Sequence, residues 1–539
     1  MRHFCKIAFC IALLMAWTAC EKEQKQPEEP QPVLHYVQVV SEIVEIPEKG
    51  TVEVLFSVKD AGFTFDLLRD VTIYPSSEAF TLQEVRPAGE FLYVAVLADK
   101  GGEDDYEQAV RLGVREKAGE EVFVFSSVFT VRLKRADPGV LIPETGLPTV
   151  FVNTEDGAPI VSKTDYLTAT LGIRSVGGDY ELEDVTCQVR GRGNTTWGWP
   201  KKPYLIKLDK KESVLGMPKH KRWILLANFM DRTLMRNLVS MKVSSMTGLA
   251  WTPSCQPVEL VLNGLHQGTY LLIEQVRVDK NRVNITEMSK EDNSGDALTG
   301  GYLLELDFHY DNEVQWRDTH GSCVQMEGGI PFGIKYPDPE DLTTTQETYI
   351  KNYVFHAAEA LYGPDFTDPE KGYAHYLDVD SFVDYWLVFE VMGNHELANP
   401  GSVYMHKDRG GKLVAGPCWD FDWGVLSYRT SPHGKTGLIN RNAIWYARLF
   451  EDPAFAEKVR NRFQELLPQL ETIPGYMDQL QERLSRSAKY NFRLWNPADD
   501  ASMNGGHIIN GDENMSFDEA VKLLKENYRI RLTVMSEKL

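Results

Sequence analysis

Along residues 51–59, Val52, Val54, Phe56 and Val58 alternate with Glu53, Leu55, Ser57 and Lys59. Further on, Phe129, Val131 and Leu133 alternate with Thr130, Arg132 and Lys134. A period of two sends every second side chain to one face, which describes a half-buried β-strand. With short turns such as Glu48-Lys49-Gly50, the pattern predicts roughly seven strands in about 100 residues, an immunoglobulin-like β-sandwich over 33–137. No His, Asp and Glu constellation stands out there, and the segment reads as a spacer or docking module.

Residues 138–148 carry Pro138-Gly139, Pro143 and Gly146, the composition of a linker. Beyond it, strand patterns at 149–153, 167–173, 186–190, 204–208, 223–226, 258–262 and 269–273 precede most of the helical ones. Helical periodicity covers 232–246, 346–361, 379–392, 453–467, 476–487 and 516–539. Strands first and helices second predict an α+β fold class for 148–539, with a sheet-rich lobe followed by a helical lobe.

The amino terminus follows a different rule. Arg2 and Lys6 precede a 13-residue, almost wholly apolar run, Ile7 to Ala19. That run is too short to span a bilayer, which takes about 20 residues, and it reads as a secretory signal over 1–19. The sequence Trp17-Thr18-Ala19-Cys20 resembles a bacterial lipoprotein cleavage site, which makes Cys20 the lipidation residue; ordinary secretion with Cys20 as a thiol is the alternative. Residues 20–32 hold Glu, Lys, Gln and Pro after the cysteine, and such a stretch is a disordered tether. The expected location is therefore an exported, membrane-anchored lipoprotein at the outer membrane or cell surface, held by its lipid only.

Charge narrows the partners. The 539 residues contain 57 Lys and Arg against 78 Asp and Glu, a formal charge of −21. That balance argues against nucleic acid as a partner, because phosphate neutralisation needs a broad basic face. Of the seven cysteines, Cys5 and Cys10 leave with the signal, and Cys187, Cys255, Cys323 and Cys418 show no CxxC spacing. Neither a zinc knuckle nor a disulfide framework is indicated.

Three stretches carry candidate chemistry. From Arg190 to Lys207 the chain reads RGRGNTTWGWPKKPYLIK, with Arg190, Arg192, Lys201, Lys202 and Lys207 around three glycines. Close backbone approach plus positive charge suits a polyphosphate, although the spacing is neither a Walker loop nor GxGxxG; a solvated basic turn is the plainer reading. In Trp419-Asp420-Phe421-Asp422-Trp423, two carboxylates at i and i+2 on a strand share a face, and a divalent cation relieves their repulsion. A surface turn between aromatics is the alternative. In Asn394-His395-Glu396 a zincin reading fails, since Asn399 stands where the second His is required; a carboxylate about 24 residues before an Asp pair instead fits a catalytic loop before a metal loop.

In order along the chain, RGRGNTTWGWPKKPY, LGMPKHKRWILLANFMDRTLMRN, VELVLNGLHQGTYLLIEQV, YLLELD, SVYMHKD and GPCWDFDWG resemble the CotH kinase family over residues 149–495. The resemblance implies an atypical, protein-kinase-like two-lobed domain that transfers phosphate from ATP to protein Ser or Thr with Mg²⁺ or Mn²⁺. It implies ATP contacts from Arg190, Arg192, Asn194, Lys207 and Arg236, the last with Asp231 opening the helix behind the lysine. Lys335 is a second candidate for the phosphate-pairing lysine. Asn394 and Glu396 fall in the catalytic loop, Asp420 and Asp422 are the metal carboxylates, and Ser402 takes the place of the usual metal-binding Asn. Glu396 stands where the family usually carries Asp. The rival reading is a non-catalytic, pseudokinase-like surface module binding a glycan or protein through Trp197, Trp199, Trp419 and Trp423, residues for which core packing is the more ordinary explanation. In the first reading the partners are ATP or another phosphate donor and a protein or glycan acceptor.

Overall fold

Alternation of apolar and polar residues becomes sheet wherever the structure can be traced. The computed structural model describes residues 36–47, 50–59, 69–89, 91–102, 105–115, 123–133, 143–309, 314–321, 323, 328–429, 431–496 and 510–539. The signal at 1–19, Cys20 and the tether at 20–32 lie outside the described residues, as does 138–142 of the linker. The chain divides into two compact units, Met1–Ala136 and Asp137–Leu539.

Among the described residues, the elements of the first unit are strands: β1 Tyr36–Val39, β2 Ile43–Ile46, β3 Thr51–Lys59, β4 Val71–Tyr74, β5 Phe80–Gly89, β6 Leu92–Asp99, β7 Tyr106–Arg115, β8 Phe123–Phe125 and β9 Phe129–Leu133. One sheet runs β1-β3-β6-β5 and the other β2-β9-β7-β4, with β8 beside β7. All pairs are antiparallel except β2 with β9. Val54, Phe56, Ala95 and Leu97 from one sheet meet Val110, Leu112, Phe129 and Val131 from the other in one core.

The second unit opens with β10 Thr149–Thr154, β11 Leu167–Arg174, β12 Leu182–Gly191, β13 Tyr204–Glu212, β14 His220–Leu226, helix α1 Arg236–Ser244, β15 Cys255–Leu262 and β16 Leu265–Glu274. These seven strands close a barrel in the order β10-β11-β12-β13-β14-β16-β15, sealed by parallel pairing of β10 with β15. Alternation assigns the two faces. Tyr204, Ile206, Leu208, Trp223 and Leu225 belong to one core, whereas Leu205, Ile224, Leu226, Leu271 and Ile273 join a second core shared with the helices. Each such fully buried aliphatic side chain contributes about 1.5–3 kcal/mol.

Next come β17 Tyr302–Leu306, β18 Gln315–Asp318, β19 Ile330–Tyr336, helices α2 Thr344–Tyr362, α3 Tyr373–Tyr376 and α4 Val379–Val391, then β20 Val403–Lys407 and β21 Leu413–Ala415. Their five strands form a sheet in the order β18-β19-β17-β20-β21. Helices α5 Tyr446–Leu449, α6 Pro453–Leu470, α7 Ile473–Leu494 and α8 Phe517–Lys538 complete the unit. Helix α4 is buried throughout from Ser381 to Val391, as its nearly unbroken apolar sequence requires. Helix α7 buries Met477, Leu480, Leu484, Ala488 and Asn491 on one side. Capping boxes at Thr343 with Gln346 and at Ser516 with Glu519 start α2 and α8. The sequence pattern begins α1 at residue 232. The helix begins instead at Arg236, because the Asp231 carboxylate takes the N–H groups of Thr233 and Arg236 and holds a turn there.

Candidate functional site

The segment carrying Asp420 and Asp422 is held by its backbone from both sides. The N–H of Phe421, between the two acids, donates to Asn237 Oδ1 of α1 at 2.8 Å. The N–H of Gly424 donates to Asn510 Oδ1 at 3.0 Å, and Asn510 Nδ2 donates to the Asp422 carbonyl at 3.2 Å. The pair is not on a strand: β21 ends at Ala415, and Asp420 has φ of 63°. A left-handed residue there costs on the order of 1–3 kcal/mol unless its surroundings enforce it, and Asp tolerates it better than most. Both carboxylates nonetheless line one cavity of about 790 Å³.

Glu305 from β17, Asp307 just after it, and Glu396 line the same cavity. Desolvation raises the Asp307 carboxyl to about 7, with Glu305 adding to the rise, against hydrogen bonds from the N–H groups of His309 and Ser402. Glu396 is pushed well above the usual carboxylate range by burial, then by the charges of Asp420, Asp422 and Asp307. Asp422 is raised strongly by burial, then by Asp420 and Asp231; Asp420 is raised by burial, with Arg192 opposing. Each of Asp307, Glu396, Asp420 and Asp422 keeps part of its surface toward the cavity, so the crowding faces a space that a ligand can enter.

The catalytic-loop candidates divide by role. Asn394 is fully buried and lies outside the cavity lining; its Oδ1 accepts from the Glu396 N–H at 2.8 Å and orients that residue. Its own carbonyl accepts from Asn440 Nδ2. Glu396 Oε2, His395 Nδ1 and Asn399 Oδ1 are buried with no hydrogen-bond partner, and all three residues line the cavity. Unpaired buried polar atoms cost about 1–3 kcal/mol each, so three in one wall mark a place built for a ligand. Ser402 lines the cavity with φ of 57°, and its N–H donates to Asp307.

The basic hairpin between β12 and β13 supplies Arg190, Arg192, Asn194 and Trp199 to the cavity. Glycine is required at two positions. A Cβ on Gly191 would collide with the Trp197 ring, and Gly193 has φ of 87° with Thr196 Oγ1 packed against it. Arg192 lies 5.8 Å from the Trp419 ring. Lys201, by contrast, is completely buried, donating to the Thr269 carbonyl and to Asn491 Oδ1 of α7. Burial lowers its ammonium to about 7, against the charge of Glu259. It roots the hairpin instead of meeting a ligand. Trp199 stacks on Trp423 at 6.0 Å with the rings 3° from parallel, and Phe229 adjoins at 5.9 Å. Trp197 is half-buried and packs against the barrel's inner core, Trp419 is buried.

Two expected ATP contacts fall elsewhere. Arg236 is buried between Asp231 and Asp512, with its Nε donating to the Val425 carbonyl at 3.0 Å. It ties α1 to the segment after Asp422 and lies outside the cavity lining. Lys207 also lies outside the lining; Leu205, the previous outward residue on β13, lines the cavity instead. Two other lysines line the cavity, Lys163 and Lys335 on β19, the latter 2.8 Å from Glu305 Oε2. Sequence reasoning missed Glu305, Asp307 and Asn399. The only signal for the first two was YLLELD, in which two acids interrupt an apolar strand.

A hard divalent cation fits this donor set. Among the described residues no three His, Cys, Asp or Glu side chains converge as a metal cage, but Mg²⁺ typically takes one or two carboxylates and completes its shell with water and phosphate. The repelling Asp420 and Asp422 and the unpaired Glu396 oxygen supply that chemistry. One stretch of the wall is apolar: Leu205, Ile224, Leu226, Val276 and Leu303 line the same cavity.

Arranged in this way, a carboxylate pair, a basic glycine hairpin and an apolar wall surround one cavity of an α+β unit. The family model described as CotH kinase protein matches residues 189–535, and the chain belongs to the CotH kinase family. No curated protein matches it. Among solved structures, it is similar to a marsupial T cell receptor at 9% identity, covering 32% of this chain and 93% of that one, with a TM-score of 0.15. It is also similar to the Escherichia coli adhesin FdeC (12% identity, 44% and 87% coverage, TM-score 0.17). Domains 5-6 of the S-layer protein SbsC match at 15% identity, with 45% and 98% coverage and a TM-score of 0.14. At these TM-scores the likenesses carry no argument about fold or function.

Proposed function

We propose that this CotH-family chain is an exported, lipid-anchored, protein-kinase-like phosphotransferase, with an immunoglobulin-like amino-terminal unit and a two-lobed kinase-like domain. The observation that carries the reading is the convergence of Asp420, Asp422 and Glu396 on one cavity with Arg192 and Lys335. Asp420 and Asp422 would hold Mg²⁺ or Mn²⁺, which when bound neutralises charge on a nucleoside triphosphate. Arg192 and Lys335 add positive charge beside the transferring group, where phosphoryl transfer gains most from positioning and electrostatics. Leu205, Ile224, Leu226 and Val276 offer an apolar seat for the base. Asn394 orients Glu396, which accepts the proton of an incoming hydroxyl. Cation neutralisation of the Asp pair removes two of the influences that raise the Glu396 carboxyl. Two sheets, β1-β3-β6-β5 and β2-β9-β7-β4, sharing one core support the immunoglobulin-like reading.

Purified chain beginning after Cys20, given Mg²⁺ or Mn²⁺ and labelled ATP, should transfer phosphate to itself or to a protein acceptor. Glu396→Gln should lose transfer by about 10²-fold or more while retaining nucleotide. Equal transfer by wild type and Glu396→Gln would remove Glu396 from the reaction. The stacked Trp199 and Trp423 in the cavity wall favour one second reading, a non-catalytic module that stacks a glycan or peptide. Nucleotide-independent glycan binding, lost on Trp423→Ala, would select it.

A further inference from the structure

Lys207, displaced from the cavity lining, stands in a different constellation. On the antiparallel strands β13 and β14, Lys207 is the direct partner of Arg222. Like charges directly opposite on one face destabilise a sheet pair. On the other side of β13, Lys207 pairs with Gln188, and Arg190 is the next residue of β12 on that face. All three cations surround one phenol. Arg222 Nη1 donates to the Tyr166 hydroxyl at 3.2 Å, the Arg190 guanidinium lies 5.2 Å from the Tyr166 ring, and Lys207 Nζ lies 5.7 Å from it. Arg190 and Arg222 together hold the phenol below its ordinary value, against desolvation, the largest single influence.

Charge compensation is missing. Among the described residues no carboxylate forms an ion pair with Arg190, Lys207 or Arg222. The nearest acids in sequence, Asp165 and Asp209, are exposed, and Asp165 is engaged by the Ser162 hydroxyl at 2.9 Å. In a chain of net charge −21, three half-buried cations on adjacent strands without one acid are a local inversion of sign. Arg190 also borders the cavity, beside Lys163. The row is thus open to solvent at the end of a ligand cavity.

We propose that Arg190, Lys207, Arg222 and the Tyr166 hydroxyl form a second anion site, selective for a phosphomonoester. Arg190 Nη1 is already given to the Lys163 and Gly191 carbonyls; its other N–H groups, the Arg222 guanidinium, an ammonium and a phenol O–H are still donors in excess of what one carboxylate can accept. A phosphomonoester offers three terminal oxygens and about −1.5 to −2 charge near neutral pH, which matches three cations. The five carboxylates of the cavity, Glu305, Asp307, Glu396, Asp420 and Asp422, repel such an anion unless a metal is bound. The site is therefore distinguishable from the metal end by working without divalent cations, and it stands or falls independently of phosphoryl transfer.

The experiment is calorimetric titration of the full chain in EDTA with inorganic phosphate, O-phosphoserine and serine. Phosphate and O-phosphoserine should bind and serine should not. Lys207→Met and Arg222→Met should each weaken binding by about tenfold or more, and Lys207→Arg should preserve it. Lys335→Met, at the metal end, should leave it unchanged. Tyr166→Phe, which keeps the ring and removes one donor, should weaken it severalfold and serves as the arm least open to misfolding. Binding lost in Lys335→Met but kept in Lys207→Met would overturn the assignment. Phosphate binding without O-phosphoserine binding would overturn the monoester specificity, and no phosphate binding by wild type would overturn the site.

Discussion

Asn237 Oδ1 in helix α1 receives the N–H of Phe421 at 2.8 Å, with Asn237 1% and Phe421 0% exposed. This one bond fixes the peptide between the two cavity carboxylates to a helix of another part of the chain. Asn237→Ala leaves the Phe421 N–H buried and unpaired, at about 1–3 kcal/mol. The variant should melt several degrees lower and bind Mn²⁺ more weakly, whereas Asn237→Asp should restore much of the stability. A wild-type melting temperature in Asn237→Ala would show that the segment is held elsewhere.

The raised carboxyls set a pH dependence with a definite sign. Asp307 near 7 and the elevated Glu396, Asp420 and Asp422 hold protons that the unfolded chain has released above about pH 4. Their contribution to stability is fully present below that value and falls as pH rises toward 7 and beyond. A divalent cation competes with the same protons. Mn²⁺ affinity should therefore rise between pH 6 and pH 8, with proton release on binding that differs between buffers of different ionisation enthalpy. Flat affinity across that range would separate the metal from these carboxylates.

Asp420→Ala removes one member of the crowded set. The unliganded protein should melt at or slightly above the wild-type temperature. Its stabilisation by Mg²⁺-ATP, about 2.7 kcal/mol at 100 times Kd for wild type, should vanish. Unfolding of the ligand-free variant would give Asp420 a structural role.

The two lysines can be told apart by nucleotide. Lys335→Met should abolish the Mg²⁺-ATP shift, because it removes the cation that stands 2.8 Å from Glu305 in the cavity wall. Lys207→Met should leave the nucleotide shift within a degree of wild type. The reverse pattern would return the phosphate-pairing role to Lys207.

Anchoring is tested at Cys20. Cys20→Ser should move the protein from the membrane fraction to the soluble one, since the tether after Cys20, EKEQKQPEEPQP, offers no apolar anchor of its own. A variant remaining in a salt-washed membrane pellet would refute lipid attachment.

Local pattern alone carried a large part of this protein. Period-two alternation located the barrel strands from Thr149 to Glu274, because in-out alternation is a property of a single strand. Helical spacing located α2, α4, α6 and α8 within a few residues and found α7 but stopped about two turns before its end at Leu494, and the ordered motifs of residues 190–424 marked the family and brought Arg190, Arg192, Asn194, Glu396, Ser402, Asp420 and Asp422 to one cavity. Tertiary structure alone decided what each charge does. Arg236 and Lys335 are both cations in motif-like segments, yet one is consumed by Asp231 and Asp512 in the interior and the other faces the cavity beside Glu305. Lys207 and Leu205 share a strand face, and only the curvature of the closed barrel determines which of them meets the cavity. Asp307 and Asn399 acquire their significance from desolvation and from missing partners, quantities set by residues up to a hundred positions away. A sequence specifies the face a side chain takes on its own element; the charges and solvent it meets there depend on how distant elements pack against that face.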